Sequence, residues 1–154
     1  DSIRNGLMDI HERYNSDNDV VLIHDAIRPM LLPEIITDNI RVCRRYGNAI
    51  TVVPCTAAML KTYDSLSTEE QVARDNLKIT QTPQAFYVND IIDAHREALS
   101  KGITNSVASC TMYIELGRKL YMSKGSEKNL KLTTTEDIEI FKALLQAKKD
   151  EWMH

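Results

Sequence analysis

Residues 20–23 are Val-Val-Leu-Ile, and His24-Asp25-Ala26-Ile27-Arg28-Pro29 follows at once. An unbroken apolar run ended by charge and a proline reads as a strand buried on both faces of a sheet, since a half-buried strand would alternate. That constrains the chain to a layered α/β arrangement with helices on each side. In such open sheets ligands lie outside the carboxyl ends of the strands. Asp25 and Arg28 therefore stand where a carboxylate and a guanidinium could meet a ligand. The same pair could be a strand-end ion pair that only stiffens the turn, and spacing leaves both readings open.

A chain of 154 residues is long enough for one domain with a sizeable core. Its formal net charge of −3 argues against a nucleic-acid partner, which calls for a basic field. Any anion must be held by a local cluster of Lys and Arg. No apolar stretch approaches the ~20 residues of a membrane span, and no signal peptide is evident. Cys43, Cys55 and Cys110 are odd in number and far apart, which fits a reduced, cytoplasmic protein better than a disulfide framework. Neither they nor His11, His24, His95 and His154 show the spacing of a metal site, so none is expected.

Periodicity predicts a helix over 2–15 from Ile3, Leu7, Ile10 and Tyr14. Pro33 suits the first turn of a second helix, ended by Gly47, and 49–53 reads as a second buried strand. Met59 to Tyr63 and Leu77 to Thr80 read as the arms of an extended hairpin joined by the polar stretch 65–75. Val88, Ile91, Ile92, His95 and Leu99 mark a helix closed by Gly102, with His95 as a packed helix residue. Residues 105–116 predict a short helix, and 118–123 and 129–132 predict strands. Thr134 and Asp137 resemble a capping box before a last helix with the stripe Ile138, Phe141, Leu144 and Leu145. Alternating helices and strands predict an α/β class with a largely parallel sheet.

Three further segments could carry chemistry. Thr80-Gln81-Thr82-Pro83-Gln84-Ala85-Phe86 places polar residues around a proline at an expected strand-to-helix junction, where Thr82 could simply cap a helix. In Asn129-Leu130-Lys131-Leu132, Lys131 alternates with two leucines and points away from them in an extended segment. It either faces solvent or meets an anion. Arg74 lies in the polar connection of the hairpin, a place where surface arginine is ordinary.

Four pieces of the chain occur in the order and spacing of one family: Asp1-Ser2 with Asn5-Gly6-Leu7, His24 to Pro29, Thr80 to Phe86, and Gly125 to Ile138. The chain resembles the polyol-phosphate cytidylyltransferases, the group of 2-C-methyl-D-erythritol 4-phosphate and ribitol-5-phosphate cytidylyltransferases, over essentially its whole length. The resemblance implies a Rossmann-like nucleotidyltransferase sheet with a hairpin arm at about 56–81 that swaps between the chains of a homodimer. It implies transfer of CMP from CTP to a polyol phosphate, with pyrophosphate leaving. Lys131 and Arg74 would be catalytic, holding the acceptor phosphate, with Arg74 reaching over from the partner subunit. Asp25, Arg28, Thr82 and Asn105 would bind the acceptor. Ser2 and the Ala26 backbone would touch CTP, and Mg²⁺ would ride on the triphosphate oxygens.

Two departures qualify these expectations. The erythritol-phosphate enzymes present Asp-Thr where this chain has Ala57-Ala58, and Thr-Asp where it has Asn105-Ser106. The polar groups that would read the acceptor have changed while the cations remain, which points toward ribitol 5-phosphate. Family members also open with strands and a glycine-rich loop for the triphosphate, whereas the five glycines here form no such loop. The chain therefore reads as the C-terminal two-thirds of a cytidylyltransferase domain, without its N-terminal strands and inactive alone. A non-catalytic module that binds a polyol phosphate, or dimerises through the arm, is the alternative.

Overall fold

The computed structural model describes residues 2–14, 18–104, 106 and 108–152. Helix α1 (Ser2–Tyr14) leads into strand β1 (Val20–Ile23), and the Asp25–Arg28 turn follows. Helix α2 (Pro33–Tyr46) starts on its proline and ends at Gly47, whose φ of 98° is the left-handed conformation that glycine adopts freely. Strand β2 (Asn48–Pro54) comes next. The arm is β3 (Met59–Lys61) paired with β4 (Glu70–Val72), followed by a 3₁₀ turn at Arg74–Asn76. Strand β5 (Lys78–Tyr87), helices α3 (Val88–Ser100) and α4 (Ser109–Glu115), strand β6 (Met122–Lys124) and helix α5 (Thr135–Trp152) complete the chain.

The main sheet has the order β1-β5-β2-β6. Here the expectation of a largely parallel sheet is corrected. β5 runs antiparallel to both of its neighbours, and β2–β6 is the parallel pair. The reason lies in the connections. A parallel return needs a crossover element, and α2 supplies one between β1 and β2. Between β2 and β5 there is only the arm, so the chain comes back reversed. The predicted second arm also shifts: Lys78 and Ile79 pair with Pro54 and Val53 of β2, while Glu70–Val72 pairs with β3. Residues 80–86, expected at a helix junction, are interior to β5, so Thr82 caps no helix. Residues 129–132 form no strand: Leu132 N–H donates to Ile27 O at 2.8 Å, a tether rather than a ladder. β1 lies at the sheet edge: Val21 and Ile23 pack on one core cluster and Val20 and Leu22 on the other, so both faces are covered, though each residue is only half-buried.

Both faces of the central strands are packed. Leu7, Ile50, Phe86, Ile91, Ile92, Met112 and Tyr113 fill one side under α1, α3 and α4. Val42, Cys43, Ala49 and Ala85 pack on the other under α2. Asn39 is fully buried on α2, and its amide reaches Ser123 Oγ at 2.7 Å and Thr51 Oγ1 at 3.1 Å, tying the helix to β2 and β6. Burial raises the Cys43 thiol to about 11, and Cys43, Cys55 and Cys110 are all free. The capping box expected at 134–137 forms: Asp137 Oδ2 accepts Thr134 N–H at 2.8 Å and Thr134 Oγ1 accepts Asp137 N–H at 3.2 Å. Among the described residues no helix is long and apolar enough to cross a membrane.

Candidate active site

The site grows from the carboxyl end of β1. Arg28 N–H donates to Asp25 O at 3.0 Å, closing a turn that carries Asp25, Ala26, Ile27 and Arg28. The turn is docked on β5, because Asp25 N–H donates to Thr82 Oγ1 at 3.0 Å and Thr82 Oγ1 lies 2.9 Å from His24 Nδ1. The third wall is the loop after β6. Arg28 Nη1 donates to Asn129 O at 2.8 Å, and Lys131 Nζ stands 3.3 Å from Asp25 Oδ2.

One carboxylate thus stands between two cations, since Arg28 Nε is 3.5 Å from the same Asp25 oxygen. The cations differ in freedom. The Arg28 side chain is 11% exposed and held by Asn129 O, whereas Lys131 is 46% exposed. A half-exposed ion pair is worth about 0–1 kcal/mol. Lys131 can therefore leave Asp25 for an incoming anion at little cost, while Arg28 stays fixed. A phosphate next to Lys131, with a hydroxyl donating to Asp25, would satisfy all three groups.

A buried polar knot supports the loop. Asn129 is fully buried, and its Nδ2 donates to Thr82 O at 2.8 Å and to Gln81 Oε1 at 3.3 Å. Gln81 in turn donates to Ser126 O at 2.9 Å and accepts from Ser126 N–H. Gly125 is required by this packing, because a Cβ there would stand 2.5 Å from Gln81 Oε1. Gln81, Gly125 and Asn129 lay inside the segments that sequence reasoning marked, but received no role there. The available signal was polar residue types in stretches destined for burial.

The sequence-derived set divides. Asp25, Arg28, Thr82 and Lys131 come together with the exposed Ala26 backbone in their turn. Ser2 opens α1, which packs on α3, and shares no hydrogen bond with the turn among the described residues. Arg74 sits on the arm, donating to Thr56 O at 2.8 Å, beside a cavity of about 490 Å³ that Ala58 also lines. Asn105 lies outside the described residues. His95 is half-buried on α3 facing Arg4, and burial first, then the Arg4 charge, holds its pKa below the usual histidine value.

The family model described as IspD, 2-C-methyl-D-erythritol 4-phosphate cytidylyltransferase, matches residues 1–147. The chain belongs to the IspD family. A ribitol-5-phosphate cytidylyltransferase of Lacticaseibacillus paracasei is 37% identical over 150 residues, covering 96% of this chain and 64% of that protein. A 2-C-methyl-D-erythritol 4-phosphate cytidylyltransferase of Clostridium botulinum is 37% identical over 148 residues, covering 95% and 62%. The chain thus spans a little under two thirds of the length of these curated relatives. Among solved structures, the Anaerococcus prevotii 4-diphosphocytidyl-2C-methyl-D-erythritol synthase superposes with a TM-score of 0.80 at 26% identity, over 94% of this chain and 65% of that one. The Thermus thermophilus 2-C-methyl-D-erythritol 4-phosphate cytidylyltransferase gives 0.80 at 23% identity, over 94% and 68%, a likeness of fold. The four-stranded sheet with its arm is therefore the IspD nucleotidyltransferase fold.

Proposed function

We propose that this chain carries the acceptor side of a cytidylyltransferase active site. A phosphate oxygen of a polyol phosphate attacks the α-phosphorus of CTP; a new P–O bond forms as the bond to the bridging oxygen breaks, and pyrophosphate leaves. The observation that carries the reading is the convergence of Asp25, Arg28, Thr82 and Lys131 from three distant segments into one hydrogen-bonded unit. Family membership supplies the reaction class.

Such a reaction asks the protein for positioning and charge neutralisation rather than covalent chemistry. In this reading Lys131 swings from Asp25 to the acceptor phosphate, and Arg28 stays behind to fix the Asp25 carboxylate for a polyol hydroxyl. Thr82 and Asn105 complete the acceptor pocket, while Ser2 and the Ala26 backbone contact CTP. Arg74 is exposed on the arm, held by one bond to Thr56 O, and the family resemblance has residues 56–81 deliver it to a partner in a homodimer. Mg²⁺ would be held by the CTP oxygens. Among the described residues no three of His, Cys, Asp and Glu converge. The chemistry fits a cytoplasmic enzyme.

For the acceptor we favour ribitol 5-phosphate. Relatives named for either acceptor reach 37% identity, so the choice rests on Ala57 and Ala58, which carry no polar side-chain group where the resemblance puts the Asp-Thr pair of the erythritol-phosphate enzymes. A site lacking the hydrogen-bond partners of one ligand discriminates poorly for it. The test is pyrophosphate release, in an enzyme of the relatives' full length that contains this chain and a CTP-binding loop, with Mg-CTP and either acceptor at equal concentration. Faster release with ribitol 5-phosphate is expected. A clear preference for 2-C-methyl-D-erythritol 4-phosphate would overturn the choice of acceptor, and release with neither would overturn the reaction.

A further inference from the structure

His24 opens the turn that bears Asp25 and Arg28, yet the proposed reaction gives it no task. Its ring nitrogens are both engaged. Nε2 lies 3.1 Å from Arg28 O, and Nδ1 lies 2.9 Å from Thr82 Oγ1. The partners fix the proton positions. A carbonyl oxygen only accepts, so Nε2 carries the hydrogen. In the neutral ring Nδ1 is then a bare acceptor, so the Thr82 hydroxyl donates to it. Thr82 Oγ1 also accepts Asp25 N–H at 3.0 Å, which agrees with that direction. The result is a one-way chain: Asp25 N–H to Thr82 oxygen, Thr82 hydroxyl to His24 Nδ1, and His24 Nε2–H to Arg28 O. It closes the 24–28 turn on itself through β5.

A threonine hydroxyl is otherwise a free rotor, and it can face a ligand as donor or acceptor. Thr82 is only 9% exposed, so its one remaining lone pair has few directions open. We propose that His24 is a positioning residue: it acts through Thr82, holding that hydroxyl in one direction so that the acceptor meets it in a single geometry. The proposal rests on the reading of Thr82 as an acceptor-binding residue.

Two replacements separate the halves of the ring. His24→Asn would set a carbonyl oxygen near the place of Nδ1, keeping the Thr82 bond and losing the Arg28 one. His24→Gln would set an amide N–H near the place of Nε2 and do the reverse. The experiment has two arms. In the first, long-range ¹H–¹⁵N spectra of the chain at neutral pH should show His24, identified by its absence in His24→Asn, as the Nε2–H tautomer, with its Nδ1 signal displaced by Thr82→Val. An Nδ1–H tautomer, a doubly protonated ring, or no response to Thr82→Val would overturn the proposal. In the second, ribitol 5-phosphate is titrated into the variants. His24→Gln and Thr82→Val should each weaken binding about tenfold, the scale of one lost hydrogen bond, and His24→Asn should stay within about threefold. The His24→Gln/Thr82→Val double variant should bind no worse than Thr82→Val alone. Additive losses, or rescue by the Gln variant and not the Asn variant, would overturn it. If the unaltered chain does not take ribitol 5-phosphate, the functional reading fails, and the tautomer arm still decides the role of His24.

Discussion

Gly125 shows how tightly single residues are fitted around the site. Its N–H donates to Val52 O at 2.9 Å, and its missing side chain leaves room for the Gln81 amide that clamps the 126–131 loop. Gly125→Ala should displace Gln81 and destabilise the fold by about 1–3 kcal/mol, the usual cost of overpacking. Urea denaturation measures this, and an unchanged midpoint would show that Gln81 is not tightly seated. Such a role was beyond reach from residue types alone. Charge after apolar runs marks Asp25, Arg28 and Lys131, but spacing leaves a strand-end ion pair or a solvent-facing lysine open, and an acceptor role comes from the family resemblance. Gln81 and Asn129 were not legible, because a polar residue in sequence does not reveal that it will be buried, nor which distant backbone carbonyl it will satisfy.

At the scale of elements, α2 is joined to β6 by Asp38, whose carboxylate accepts Lys124 N–H at 2.9 Å and a hydrogen bond from Arg41 Nη2 at 2.6 Å. The Lys124 backbone bond first, then Arg41, holds the Asp38 pKa below the usual carboxylate value. A lowered folded pKa means that the charged form stabilises the fold above the ordinary carboxylate range, and that this is lost as pH falls through the lowered value. Asp38→Asn should therefore lower the melting temperature at neutral pH, with the gap to the unaltered chain closing as acid is added. A gap that stays constant with pH would mean that charge is not the cause. Helix positions were readable at this scale, since α1, α2 and α3 follow apolar stripes and a proline or glycine marks an end of α2 and α3. Strand direction was not. The antiparallel course of β5 depends on the arm that precedes it, and periodicity carries no direction. Residues 129–132 show the same limit, because alternation predicts extended backbone but not the neighbour that would make it a strand.

For the whole molecule, the arm is the element that the single chain leaves least accounted for. Leu60, Tyr63 and Leu66 are 63%, 78% and 93% exposed, far more than an isolated two-stranded ribbon needs. With Arg74 on the same arm, the reading of a shared site makes a direct prediction. In an enzyme of the relatives' full length that contains this chain, mixing Arg74→Ala and Lys131→Ala subunits should partly restore transfer, because a heterodimer regains one intact site. No recovery with subunit exchange demonstrated would mean that Arg74 is not shared. The central claim, however, is that the turn after β1, the middle of β5 and the loop after β6 form one acceptor site in which Lys131 takes the phosphate. Calorimetric titration of ribitol 5-phosphate into the chain, Lys131→Ala and the exposed neighbour Lys128→Ala tests it most directly. A charge-assisted contact is worth about 1.5–3 kcal/mol, so Lys131→Ala should weaken binding about tenfold or more while Lys128→Ala stays within about twofold. Equal affinity of all three, or no binding by the unaltered chain, would contradict the account.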